Sequence, residues 1–346
     1  MTDDLPERRK GHPYVMYDML KASKAGILKT IDIMEKTDLD FLKSPYCFTG
    51  NGTAFHAAAL GSLIIPGYSH EFRVMQSYEL ENYSDFTGTV FGFSHTGKTK
   101  STVDSIRKVG QACTTIGISH YARSPLIEES SVGIVIGDSP DMSLCNTKAF
   151  FDNYFAALEI SKRIAGVNIN SRALADDLYS VIDGKENEAK EAAKFMGSGL
   201  RNIFVLGAGP SYYAAREIAQ KLKESTHIHA EGIELEEFNH GCTSVIDDRS
   251  AVIIINSGRD GTRSSEIARA CREVGTRTLA LNAEGDFSVE IPQPERMELF
   301  PVLAVGFLYT LCYYMALEND VNPDLLRFED KKYLDFDSIV FPPGAH

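Results

Sequence analysis

Short runs of Val, Ile, Leu and Phe alternate along the chain with longer stretches in which apolar residues recur every three or four positions. The runs "YCFTG" (46–50), "TVFGFS" (89–94), "TTIGIS" (114–119) and "VGIVIG" (132–137) read as strands, and "AFHAAALGSLI" and "STVDSIRKVG" read as helices after the first two. Strands that are apolar throughout, separated by amphipathic helices, predict a parallel sheet covered on both faces. The same order returns in the second half, with strands "NIFVLG" (202–207), "AVIIIN" (251–256) and "RTLALN" (277–282) around helices "YYAAREIAQKLKE" and "SSEIARACREVG". Motifs repeat with the elements: "GNGTAFHAA" matches "GAGPSYYAA", and "SHTGKTKSTVDSIRKVG" matches "SGRDGTRSSEIARACREVG". The chain is therefore expected to hold two similar α/β domains, each a three-layer α/β/α sandwich of the flavodoxin or Rossmann kind. The expected boundaries are a helical segment over residues 1–40, a first domain over 41–165, a polar helical connector over 166–198, a second domain over 199–320 and a tail over 321–346.

Composition narrows the function. A net charge of -13 argues against a general nucleic-acid or anionic-membrane binder, since both reward clustered Lys and Arg. The six cysteines show no C-x-x-C and no pairing rhythm, which points to free thiols in a reducing cytoplasm rather than to disulfides or zinc. The N-terminus has no apolar signal core. The uncharged run "FPVLAVGFLYTLCYYMAL" (300–317) reaches the lower length limit for a membrane span, but its flanks are mostly acidic, and a helix buried all round inside a domain is the expectation.

One stretch carries chemistry at once. "GFSHTGKT" (92–99) fits the nucleotide-binding pattern G-x-x-x-x-G-K-[ST], and Asp138 in "VGIVIGD" could supply the usual magnesium partner. The matching turn of the second half, "SGRDGTR", has no lysine. What the two copies share is a strand end and a helix start, where free amides and the positive end of the helix converge. Hydroxyls at Ser94, Thr96 and Thr99 would add to that cradle, whose plain alternative is ordinary helix capping. A phosphate monoester bound without lysine is the reading preferred over a nucleotide.

At this point the sequence resembles the sugar isomerase (SIS) family, in the tandem arrangement of the isomerase half of glucosamine-6-phosphate synthase and of related amino-sugar-phosphate deaminases and fructosamine deglycases. The resemblance runs from about residue 12 to residue 335 and rests on "GNGT", "SHTGKT", "NTKAF" (146–150), "NPDLLR" (322–327) and, most specifically, "KLKESTHIHAEGIELEEFNHG". It implies phosphate binding by Ser94, His95, Thr96 and Thr99, sugar contacts from Gly52, Thr53 and Asn146, an enolising base at Glu224 and a ring-opening histidine at His240. It further implies that Glu237 orients His240, that His240 serves the neighbouring subunit of a homodimer, and that Lys331, with Lys332 as its rival, matches the family's Schiff-base lysine. Ala54 and Asn146 stand where the family has hydroxyl residues.

The implied roles are chemically coherent. Moving a proton between C1 and C2 of a sugar needs one base able to reach both carbons, and a carboxylate partly removed from water suits it. Imidazole suits the proton exchange of ring opening. The residues alone leave plainer options: a surface carboxylate at a helix end for Glu224, an i, i+3 helical pair for Glu237 and His240, and packed or exposed strand positions for His227 and His229. No metal motif and no cofactor is expected. The start Met1-Thr2-Asp3 lacks the cysteine nucleophile of a glutaminase, so a separate glutaminase partner is one expectation. The expected activity is interconversion of glucosamine 6-phosphate and fructose 6-phosphate, as isomerase or deaminase. The alternatives are a fructosamine 6-phosphate deglycase and a non-catalytic sugar-phosphate sensor.

Overall fold

The computed structural model describes residues 9–66 and 71–341. Among the described residues the chain folds as two units, one formed by Ala22–Arg172 with residues 327–341, the other by residues 9–21 with Ala173–Leu326. Helix α1 (Val15–Lys36) contributes residues to each.

The first unit runs β1 (Tyr46–Gly50), α2 (Gly52–Gly61), β2 (Phe72–Gln76), α3 (Ser77–Tyr83), β3 (Thr89–Phe93), α4 (Lys100–Val109), β4 (Thr114–Ser119), α5 (Pro125–Glu129), β5 (Val132–Val135) and α6 (Thr147–Ala165). Its strands form one parallel sheet in the order β2-β1-β3-β4-β5. Alternate residues serve opposite faces: Phe48, Phe91, Phe93, Ile116 and Ile118 pack with Ala156, Ala157 and Ile160 of α6, while Cys47 and Val90 pack with Leu80, Val103, Ile106 and Leu126. Burial on both faces is why these strands read as unbroken apolar runs.

The second unit continues through α7 (Ser171–Gly184), α8 (Glu186–Met196), β6 (Asn202–Gly207), α9 (Ser211–Thr226), β7 (His229–Ile233), β8 (Ser250–Ile255), α10 (Gly261–Glu273), β9 (Arg277–Leu281), β10 (Phe287–Val289) and α11 (Phe300–Glu318). A last helix, α12 (Lys331–Val340), belongs with the first unit. The second sheet is again parallel, ordered β7-β6-β8-β9-β10, the same succession as the first. The two expected parallel α/β sheets are thus present, and the duplication extends to strand order. The polar stretch between the two sheets folds as α7 and α8.

Helix α11 lies within the apolar segment 297–318, long and apolar enough to cross a membrane by length and composition, yet its apolar stretch from Phe300 to Ala316 is buried in the protein. It packs on α8 and α9 and serves as a core helix, as its lack of a polar face predicts. The six cysteines are unpaired.

Candidate functional site

In each sheet the chain leaves the central strand pair in opposite directions, so a crevice opens at the carboxyl ends of β1 and β3 and, in the other unit, of β6 and β8. Such a switch point is where open parallel sheets hold ligands. The first unit brings both of its candidate turns there. Asn51 Nδ2 donates to Ser101 Oγ at 2.8 Å and to Thr102 Oγ1 at 3.0 Å, tying the turn after β1 to the first turn of α4. Gly52 takes the left-handed φ of +51° that lets α2 start directly behind that turn, with Thr53 buried beside it.

The loop Ser94–Thr99 is shaped by its own hydroxyls. Ser94 Oγ accepts from the Gly97 amide at 3.0 Å and lies 3.1 Å from Thr99 Oγ1; Thr96 Oγ1 accepts from the Lys98 amide at 3.2 Å. The Thr96 hydroxyl therefore keeps its own hydrogen for an outside acceptor. Thr99 is the N-cap of α4 yet caps nothing with its side chain; its carbonyl accepts from the Thr102 amide at 3.0 Å, and the Lys100 and Ser101 amides are the ones left to an anion. Gly97 has φ +64°, and a Cβ there would collide with the Ser124 side chain.

His95 is held from behind rather than presented. Its Nε2 accepts from the Asp141 amide at 3.1 Å, its carbonyl accepts from Ser119 Oγ at 2.9 Å and from the His120 amide at 3.1 Å, and its ring stacks edge-on to His120 at 4.9 Å. Burial, with His120 adding, pushes His95 well below the usual imidazole range, so it is neutral and able to accept. Asn146, the left-handed N-cap of α6 at φ +52°, bonds His95 and so reaches the same loop.

Beneath lies a polar network that sequence reading did not anticipate. His120 Nε2 meets Asp152 Oδ2 at 3.0 Å, both side chains buried, and the buried Lys148 ammonium donates to Asp138 Oδ1 at 2.5 Å and to Ser139 O at 2.7 Å. Asp138, the nucleotide-binding candidate, is therefore committed to Lys148.

In the second unit Glu224 sits in the last turn of α9 with its side chain 23% exposed. Gln220 Nε2 donates to its Oε1 at 2.8 Å and Lys221 Nζ to its Oε2 at 2.5 Å. Lys221 is fully buried, and its ammonium is also 3.5 Å from the buried Glu217. Charges at positions 217, 221 and 224 follow i, i+4, i+7 spacing, which places them on one helix face; sequence reading missed Glu217 and Lys221, and that spacing is the signal that could have found them. Gln220 and Tyr309, whose hydroxyl donates to Glu217 Oε1 at 2.7 Å, gave no comparable signal.

His240 is exposed and follows a short 3-10 turn, Glu237–Asn239, in which the His240 amide donates to Glu237 O at 2.9 Å. The two are thus joined through the backbone of a tight turn rather than along an α-helix. His240 and Glu237 line a cleft of about 860 Å³ along edge strand β7, together with His229, Glu231 and Cys242. His227 caps the C-terminus of α9 at φ +60°. Among the described residues no His, Cys, Asp and Glu cluster has metal-binding form. Lys331 opens α12, exposed and ion-paired with Asp335 at 2.7 Å.

The profile of the SIS domain family matches residues 199–289. These residues are similar to a SIS domain. Over 337 residues, 92% of its length, the chain is 26% identical to glutamine–fructose-6-phosphate aminotransferase (isomerizing) of Sulfolobus acidocaldarius, matching 56% of that protein. The chain thus spans about half the length of the curated relatives it matches. Among solved structures, the C-terminal domain of glucosamine-fructose-6-phosphate aminotransferase from Francisella tularensis superposes with a TM-score of 0.78 at 19% identity, covering 92% of this chain and all of that one. Glucosamine-6-phosphate deaminase from Thermotoga maritima gives 0.75 at 18%, covering 90% and 97%. At these identities the superpositions establish the fold across nearly the whole chain. Glu224 and His240 both lie inside the matched stretch.

Proposed function

We propose that the protein is an enzyme of amino-sugar phosphates that interconverts glucosamine 6-phosphate and fructose 6-phosphate, as isomerase or deaminase, by proton transfer between C1 and C2, which turns the amino aldose into a 2-imine whose nitrogen water then replaces, releasing ammonia. The observation that carries this reading is Glu224: a partly exposed carboxylate in the stretch similar to a SIS domain, gripped on one oxygen by buried Lys221 and on the other by Gln220. Ionised carboxylates accept at about four lone-pair positions, so each oxygen retains one free to take a proton. A fixed carboxylate of this kind suits enolisation, which needs a base aligned with adjacent carbons. Thr96, Thr99 and the first-turn amides of α4 take the sugar phosphate, with Ser94 and His95 shaping the loop and Gly52, Thr53 and Asn146 serving the sugar. His240 opens the ring. Its exposure on the protein surface is in keeping with service to the partner of a homodimer. The reading carries with it a cytoplasmic location, consistent with six unpaired thiols, and a separate glutaminase wherever glutamine is the nitrogen source.

The test is incubation with glucosamine 6-phosphate, with release of ammonia and fructose 6-phosphate as readouts. Glu224→Gln should lower kcat by about 10²–10⁴-fold while leaving sugar-phosphate affinity within a few-fold. Turnover of fructosamine 6-phosphates alone would move the assignment to a deglycase, and binding with no turnover of either substrate would make the protein a sensor.

A further inference from the structure

Tyr309 is a polar group without a role in the chemistry described so far. It lies in the middle of α11, a helix buried along nearly its whole length, and its side chain is completely buried. A tyrosine kept only for packing could be phenylalanine; a buried phenol needs a partner. That partner is Glu217, which takes the Tyr309 hydroxyl at 2.7 Å and is itself completely buried. Burial and the facing Glu217 carboxylate push Tyr309 far above the usual phenol range, so it remains a donor. Glu217 lies 3.5 Å from Lys221 Nζ, and Lys221 holds Glu224 Oε2 at 2.5 Å. An unbroken line of polar contacts therefore runs from the core of α11 to the partly exposed carboxylate of Glu224.

The other groups around this line do not interrupt it. Cys312, one turn along α11, feels the charges of Lys221, Glu217 and Glu224, but burial raises its thiol and keeps it neutral. Gln220 binds the far oxygen of Glu224. Lys221 has two carboxylates to choose between, and its place is set by where Glu217 points. Within α9 the i, i+4 pair with Lys221 already draws Glu217 along the helix; the bond from the neighbouring helix fixes one of its oxygens from the other side.

We propose that Tyr309 is a positioning residue for Glu224: by fixing Glu217 it fixes Lys221, and Lys221 fixes the carboxylate that moves the proton. This inference rests on the reading of Glu224 as the enolising base. The measurement is exchange of carbon-bound hydrogen of fructose 6-phosphate in D2O, followed by mass spectrometry with the full chain, since it reports proton transfer alone. Tyr309→Phe keeps the ring and removes the hydroxyl; its kcat for exchange should fall about 10- to 100-fold with KM within about twofold, because a displaced base spoils alignment and leaves binding intact. Combined with Glu217→Gln it should add nothing to the loss of Glu217→Gln alone, since Tyr309 acts only through Glu217. An unchanged kcat in Tyr309→Phe, a loss in kcat matched by an equal rise in KM, or losses that add in full would each overturn the inference while leaving the function in place. Should Glu217→Gln fail to fold, the kcat and KM of Tyr309→Phe decide. A wild type that exchanges no hydrogen would overturn the functional reading and this inference with it.

Discussion

The turn after β3 and the turn after β8 occupy the same place in two sheets of the same strand order, each leading into a helix whose first amides point at the crevice. They differ in what fills them. After β3, small hydroxyls shape the loop and the N-cap side chain leaves the helix amides open. After β8, Asn256 Oδ1 accepts from the Gly258 amide at 2.9 Å and the Asp260 amide at 3.1 Å, while its amide group donates to Asn282 O at 2.6 Å. Arg263 is forked onto Glu236 and bound to Glu266, while Arg259, exposed in the same turn, attracts Asp260 electrostatically. Asp260 adds a carboxylate that burial, and then Glu234, push upward in pKa. The shared backbone geometry thus occurs twice, and in each turn the N-cap side chain leaves its helix uncapped; the second turn differs in setting a carboxylate, Asp260, at the helix start.

Removing the hydroxyls of the turn after β3 should cost most. Thr96→Val combined with Thr99→Val should weaken fructose 6-phosphate binding roughly 100-fold by calorimetry, on the order of two hydrogen bonds to a charged ligand. Arg263→Ala in the turn after β8 should leave that affinity unchanged; an equal loss there would show that the second turn binds phosphate too. Next comes Gly97→Ala. The left-handed φ alone costs on the order of 1–3 kcal/mol, and the collision with Ser124 adds to it. Gly261, at the start of α10, has its nearest prospective neighbour, Asn256 Nδ2, 3.6 Å away, so Gly261→Ala should leave the melting temperature unchanged or slightly raised. Equal melting temperatures for the two variants would remove the distinction between a constrained turn and a relaxed one.

How much of this could be read from residues alone follows from where each element lies. β1, β3, β4, β6 and β8 are central and covered on both faces, so their apolar runs mark them without context. β2, "FRVMQ", and β10, "FSV", are edge strands with half-exposed side chains, and only pairing with β1 and β9 makes them strands. The turn after β3 was legible as a loop of hydroxyls because these are close together in sequence. The surroundings of Glu224 were legible only in part. In "KLKE" the two lysines look alike locally, yet Lys221 is buried and Lys223 exposed, and Tyr309 stands 92 residues from its partner Glu217. Pairings of that range are made by helix packing, here α11 on α9, and leave no local pattern.

A smaller effect separates the turns by pH. His95 is neutral in the folded protein because burial and His120 depress its pKa, whereas in the unfolded chain it titrates near 6.5. The stability tied to its neutral form is fully present above about pH 6.5 and is lost as pH falls below that value, by up to about 1.4 kcal/mol per pH unit. His95→Gln keeps an acceptor for the Asp141 amide without a titrating group. The gap between wild type and His95→Gln in denaturant melts should therefore shift against the wild type from pH 7 to pH 5; a gap independent of pH would mean that His95 is not held neutral.

The smallest expected effect is at Lys98, the residue that makes the turn look like a nucleotide site. In such a site the lysine reaches the phosphates and a strand-end aspartate supports magnesium. Here Asp138 is already bound by Lys148. The corresponding turn of the second unit shows that this backbone forms with no lysine in it. Lys98 is half-buried on the loop, where its charge adds attraction that solvent partly screens. Lys98→Ala should therefore weaken sugar-phosphate binding by no more than about fivefold, on the order of 1 kcal/mol, and added magnesium should not alter the difference. A loss of 100-fold or more, or one restored by magnesium and a nucleoside triphosphate, would return the turn to the nucleotide-binding class and undo its contrast with the turn after β8.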